Sequence, residues 1–152
     1  MTRNELIKLI SNESLLFFPA IKDAITRCNE VVEKPKFSPL QMLTLSYIGI
    51  SNRKNNNNGI TMKDIATFIG VSKQQCTKIV DELDKAKCVT RELNVNNRRE
   101  ILVKLTDQGI IELKSAEKIR VKNLTEKYAH LSDQELETIY HHLHEISSIV
   151  NK

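Results

Sequence analysis

Polar and apolar positions along the chain alternate mostly with a helical period. Thr2-x-x-Glu5 is a capping box, and the mostly helical stretch behind it is expected to reach about Val32. Its later part carries Ile21, Ala24, Ile25, Cys28, Val31 and Val32, an i, i+3, i+4, i+7 stripe. Pro19 lacks a donor and clashes with the turn before it, so a kink or break is expected there. Lys34-Pro35 ends the segment. Ser38-Pro39-Leu40-Gln41 opens a second helix, with Ser38 as cap, Pro39 at the first helical position and Gln41 closing the box. That helix is expected to run to about Ile50 and to be followed by a polar, flexible connector, SNRKNNNNG, residues 51–59.

Thr61-x-x-Asp64 starts a short helix with Met62, Ile65, Ala66 and Ile69 on one face, and Gly70 ends it where a left-handed residue is wanted. Ser72-x-x-Gln75 caps the next helix. Its buried stripe is Cys76, Ile79, Val80 and Leu83, and the opposite stripe, Gln74, Thr77, Lys78 and Asp81, is wholly polar. A helix, a tight turn and a second helix with one polar face is the layout of a helix-turn-helix reader. Strands are expected from Cys88 to Leu93 and from Glu100 to Leu105, joined by Asn94-Val95-Asn96-Asn97-Arg98-Arg99 with two arginines at the tip. A helix follows from Thr106 to about Tyr128, and Ser132-x-x-Glu135 caps the last one. Leu136, Ile139, Leu143, Ile146 and Val150 form a 3-4 apolar repeat on that helix, which fits packing against a second copy or against its own core.

Charge sharpens this picture. The net charge is +4, but between Arg53 and Lys104 there are 11 Lys/Arg against 6 Asp/Glu, while the rest of the chain has 12 against 13. A positive centre between near-neutral ends is the footprint of a nucleic-acid-binding module. Lys73 and Lys78 suit phosphates, Gln74 and Gln75 suit bidentate pairing with adenine, and the first-turn N–H groups behind Ser72 suit a phosphate. Arg91, Lys63 and Arg53 are weaker phosphate candidates, and Arg99 could instead brace the hairpin against an acidic residue.

Other chemistry recedes. The longest apolar run, Leu15 to Ile21, is far short of a membrane span, and the first ten residues lack a secretory layout. A soluble cytoplasmic protein is expected. Cys28, Cys76 and Cys88 are odd in number and far apart, so no disulfide framework or zinc site is expected; Cys76 and Cys28 fall on apolar stripes, which favours core packing over a redox switch. His141, His142 and His144 lack the partners to complete a metal site. No nucleophile elbow, phosphate loop or zinc-protease motif occurs, so neither catalysis nor a cofactor is expected.

The stretch ITMKDIATFIGVSKQQCTKIVDELDKAKCVTRELNVNNRREILVKLTDQG, residues 60–109, with FSPLQMLTLSYI, residues 37–48, resembles the MarR family of winged helix-turn-helix regulators. Ile65-Ala66, Gly70-Val71-Ser72, Asp81 to Leu83 and Leu102-Val103-Lys104-Leu105-Thr106 carry the likeness in combination. The resemblance implies a mainly α fold with a small β-hairpin wing. Residues 38–109 would form the DNA-binding domain, and residues 1–34 with 110–152 a helical dimerisation region. It implies a homodimer on a pseudo-palindromic double-stranded DNA operator, with Ser72, Lys73, Gln74, Gln75, Thr77 and Lys78 in the major groove. Asn96, Asn97, Arg98 and Arg99 would reach the minor groove. It implies a repressor relieved by a small aromatic or anionic ligand, for which Phe17, Phe18, Ile21, Met42, Leu43 and Tyr47 are candidates. The alternatives are a ligand-independent regulator and a protein-interaction module on a winged-helix frame. Three features depart from the family: its wing motif Asp-x-Arg-Asp-x-Arg keeps only Arg99, Lys87 stands where Gly is common, and the 51–59 connector is extra.

Overall fold

The computed structural model describes residues 1–26 and 36–150, with side chains for 1–15 and 36–150. The elements are α1 (Arg3–Thr26), α2 (Pro39–Lys54), β1 (Ile60–Thr61), α3 (Met62–Ile69), α4 (Lys73–Lys85), β2 (Val89–Asn94), β3 (Asn97–Leu105), α5 (Asp107–Lys127) and α6 (Asp133–Val150). The chain is thus mainly helical with one small antiparallel sheet of order β1-β3-β2.

Each expected cap is formed. Thr2 and Glu5 close on one another ahead of α1, and Ser38 with Gln41 does so ahead of α2. Thr61 caps α3, Ser72 with Gln75 caps α4, and Ser132 with Glu135 stands ahead of α6; Thr106 caps α5 as well, a cap the sequence reading did not name. These side chains supply the acceptors that the first-turn N–H groups of a helix lack.

Four details differ from the sequence reading. Helix α1 runs unbroken through Pro19, with no break there. Helix α2 continues to Lys54 because Ser51 still accepts from the Asn55 amide and Asn52 is buried. The connector therefore shrinks to a built turn. Asn56 and Asn57 take positive φ values of 54° and 62°, and the Asn55 amide donates to the Gly59 carbonyl at 2.7 Å. Asn tolerates the left-handed region better than most residues, so the asparagine tract supplies turn geometry. Beyond it, Ile60 and Thr61 pair with Val103 and Leu102, a two-residue strand too short for periodicity to reveal. Gly59 permits that pairing, since a Cβ there would lie 2.9 Å from Leu102 Cβ. Last, the strands of the wing are displaced, and the arginines lie within β3 rather than in the turn.

Among the described residues, every buried hydrophobic side chain falls between Phe37 and Val103. Leu45 and Ile48 from α2, Ile65 from α3, Cys76, Val80 and Leu83 from α4, and Val89 and Val103 from the sheet form one cluster. Helix α6, in contrast, buries none of its residues, so its apolar repeat does not cover the chain's own core.

The close of α4 aims everything after it. The Cys88 amide donates to Leu83 O and the Lys87 amide to Asp84 O, the paired bonds of a Schellman motif. Lys87 occupies its left-handed position at φ 59°. The Cys88 carbonyl then accepts from the Thr106 amide, and Thr106 Oγ1 donates to Lys87 O at 2.6 Å. The first turn of α5 lies flush on this joint, because a Cβ on Gly109 would sit 2.2 Å from the Cys88 carbonyl oxygen.

Gly109→Ala is expected to destabilise the protein by about 1–3 kcal/mol, the usual cost of overpacking, measured by urea unfolding. Lys87→Gly should act oppositely. Removing a left-handed penalty of about 1–2 kcal/mol against glycine's extra entropy of about 0.5–1 leaves a gain of up to ~1.5 kcal/mol in the same assay.

A second tie gives a pH signature. Lys36 donates to Glu112 of α5, which holds the Glu112 carboxyl below its ordinary value of 4.5 and the Lys36 ammonium above its ordinary 10.5. A carboxyl lowered on folding adds stability above its unfolded value, lost as pH falls through the folded one; a raised ammonium adds stability lost as pH rises through its folded value. The loss caused by Lys36→Ala is therefore expected at neutral pH and should fade as the pH falls below 4.5 and Glu112 takes up its proton, as read by denaturation at several pH values.

Candidate nucleic-acid interface

Helix α4 turns its apolar stripe inward and its polar stripe out. Cys76, Val80 and Leu83 are fully buried, while Ser72, Lys73, Gln74, Gln75 and Lys78 are exposed and Thr77 is half-buried. The exposed residues are not equivalent. Gln75 Oε1 accepts from the Ser72 amide at 3.2 Å while Ser72 Oγ accepts from the Gln75 amide at 3.2 Å, so both side chains serve the cap. Thr77 Oγ1 donates back to the Lys73 carbonyl at 2.9 Å. Lys73, Gln74 and Lys78 have no side-chain partner among the described residues and face solvent along one side of the helix.

The wing stands beside this face. Asn96, Asn97, Arg98 and Arg99 are all exposed, but the turn itself is Val95-Asn96, and Val95 is 89% exposed. Leu93 pairs with Ile101 and Asn94 with Asn97, so three residues of β3, Arg98, Arg99 and Glu100, occupy one step of the hairpin. This bulge carries both arginines down from the turn into the strand.

Arg91 carries a role that sequence reasoning missed. Its guanidinium lies 2.5 Å from Asp81 and 3.7 Å from Asp84, tying β2 to the last turns of α4. It is therefore occupied as a brace between reading helix and wing, the part considered for Arg99. A signal was present: Val89 is core, and the residue two further along a strand shares its face. Gln41 makes a similar tie from α2, its amide donating to Glu82 of α4 while its oxygen caps Ser38. Arg53 donates to the Gly49 carbonyl of its own helix, whereas Lys63 remains exposed. Lys63 and Lys73 flank a groove of about 350 Å³ floored by Met62, Ala66 and Val71.

The remaining candidates are dispersed. Met42 and Tyr47 pack against the core, Leu43 is exposed, and the Tyr47 ring stacks on Phe68 at 3.7 Å. The side chains of Phe17, Phe18 and Ile21, and all of Cys28, lie outside the described residues. Cys76 and Cys88 are buried, and burial pushes both thiols up, away from the reactive thiolate. His144 stacks on Tyr140, and His142 Nδ1 lies 3.8 Å from Glu145. Among the described residues, no group of three or more His, Cys, Asp or Glu could hold a metal ion, and no helix is long and apolar enough to cross a membrane. Leu136, Ile139, Leu143, Ile146 and Val150 line up exposed along α6.

Comparison with known proteins fits this geometry. A MarR family model matches residues 36–100, the span from the entry to α2 through the bulge of the wing. No curated protein sequence matches the chain significantly. Among solved structures it is similar to RV1404 from Mycobacterium tuberculosis, at 19% identity over 96% of this chain and 95% of that one, with a TM-score of 0.71. A mutant MarR from E. coli gives 20% identity, 96% of each chain and 0.67. The S. aureus MepR-DNA complex gives 20% identity, 91% of this chain, 97% of that one and 0.65. At such identities the structural likeness speaks to the fold, and the family match to the winged helix. Residues 36–100, the winged helix, thus match the MarR family model, and over nearly its whole length the chain is similar in fold to MarR and MepR.

Proposed function

We propose that this protein is a sequence-specific DNA-binding transcriptional regulator acting as a homodimer, and that it represses until a small molecule binds. The observation that carries the reading is two exposed sets of side chains, Lys73, Gln74 and Lys78 on α4 and Arg98 and Arg99 on the wing, on elements that Arg91 ties together through Asp81 and Asp84. A helix of this width fits the major groove, and arginines suit the narrower groove beside it. MepR, which the chain resembles in fold, has been solved in complex with DNA, which supports a DNA partner. Under this reading residues 38–109 form the DNA-binding domain, and the terminal helices, 1–34 with 110–152, join two copies. The uncovered stripe on α6 supports the second point, since full burial of one such aliphatic side chain contributes about 1.5–3 kcal/mol.

Control by ligand rests on thinner support. MepR has been solved bound to ethidium bromide. Here Met42, Leu43 and Tyr47 of α2, with Phe17, Phe18 and Ile21 of α1, are the residues proposed to receive an aromatic molecule. Binding there would favour one spacing of the two reading helices over another, a population shift that needs a difference in affinity between the two dimer shapes.

The test is titration of the purified protein against duplex DNA from upstream of its own coding sequence, beside random duplex, at two salt concentrations. Selective binding that weakens with salt is expected. Lys78→Ala and Arg98→Ala should each flatten the dependence of log K on log salt by about one unit. Equal or absent binding to both duplexes at every salt concentration would remove the regulator reading and favour a module for protein contacts.

A further inference from the structure

The turn of the wing is held by side chains whose sequence identities give no hint of it. Asn94 is half-buried at the end of β2, and its amide has two partners. Nδ2 donates to Glu100 Oε2 at 3.0 Å, across the bulge, and Oδ1 accepts from the backbone amide of Asn96 at 3.0 Å. One residue thus ties the far side of the bulge to the near side of the turn. A second, weaker link runs from the Arg99 amide to Asn97 Oδ1 at 3.3 Å. Between these two ties lie Arg98 and Arg99, the only cations of the bulge.

We infer that Asn94 is a positioning residue for DNA binding: by bridging Glu100 and the Asn96 amide it sets the shape of the bulge and so the direction in which Arg98 and Arg99 leave the wing. This inference rests on the DNA-binding reading and deepens it. The physical case has two parts. Three residues opposite a single step of β2 have no regular ladder to hold them, so their backbone path is set by whatever else they bond. The Asn94 bridge also occupies Glu100, the one carboxylate on the bulge, on the side of β2. A carboxylate free to swing would pair with a neighbouring arginine and cancel its charge toward phosphates.

The chemistry supplies a test that separates positioning from charge. Asn94→Ala removes the bridge and leaves net charge unchanged. Asn94→Asp with Glu100→Gln also leaves net charge unchanged but restores the bridge with donor and acceptor exchanged, while an Asp oxygen still accepts from the Asn96 amide. Binding to the upstream duplex is measured for the wild type and both variants at two salt concentrations, with unfolding midpoints recorded alongside. Asn94→Ala is expected to lose about tenfold in affinity and to flatten the salt dependence by one to two units. The double variant should return to within about threefold of wild type. Unfolding midpoints should move little, because the bridge lies at the far end of the wing, outside the buried cluster. Wild-type affinity and salt dependence in Asn94→Ala would overturn the inference while leaving the DNA-binding reading intact. So would a double variant no better than Asn94→Ala. Failure of the wild type itself to bind any duplex would instead remove the DNA-binding reading, and this inference with it.

Discussion

The joint at Lys87–Cys88 is the constraint on which the rest of the molecule depends. Four chain directions meet there. Helix α4 ends in the Schellman bonds, β2 leaves from Cys88, β3 returns to Thr106, and α5 departs over Gly109. The Cys88 carbonyl accepts from Thr106, and the absence of a side chain on Gly109 lets α5 start against it. Because α4 bears the proposed major-groove residues and β2 and β3 bear the arginines, the angle between reader and wing is set at a place that touches no ligand. Arg91, paired with Asp81 and Asp84, braces that angle further out. A small backbone joint with one side-chain strut converts local capping chemistry into the relative placement of two positive surfaces.

The distribution of buried side chains gives this placement a second consequence. The core is confined to residues between Phe37 and Val103, so the winged helix has its own packed interior. Helices α5 and α6 carry apolar residues outward, and α1 lies against α5. Long helices that bury little of their own stripe need another surface, which is the physical content of proposing a dimer. In that arrangement the stability of the winged helix and the association of copies are separate quantities. A change at Gly109 or Lys87 acts on the first, whereas a change at Leu143 acts on the second.

Much of this was legible in the sequence because capping chemistry is local. Ser38, Thr61 and Ser72 each announce a helix within four residues, and the period of Cys76, Val80 and Leu83 gives the inner face of α4. What was not legible depends on partners far along the chain. The strand Ile60–Thr61 exists because β3 is there to pair with it. The asparagine tract reads as a loose connector by composition, yet it is a turn whose left-handed residues are the ones asparagine accepts. Pro19 is expected to kink or break α1 from its missing donor, and the helix runs through it without a break. Gln75 reads in the sequence both as a base reader by residue type and as the close of a capping box, and the geometry shows its oxygen engaged at Ser72.

The wing shows how a departure from a family pattern is to be read. Loss of acidic and basic residues at Asn94, Asn96 and Asn97 looks, position by position, like loss of function. In the structure the asparagines shape the turn and the bulge. Two of them fix backbone amides, and one also anchors a carboxylate. The arginines then stand on a bulge that exists only because β3 has three residues where β2 has one step. A neutral turn followed by a charged bulge presents cations on the flank of the hairpin, with Val95 foremost. Hydrogen-bonded asparagines set such a shape without adding charge. The positive charge at this end of the wing is thereby left to Arg98 and Arg99, whose direction, more than their number, decides what the wing can hold.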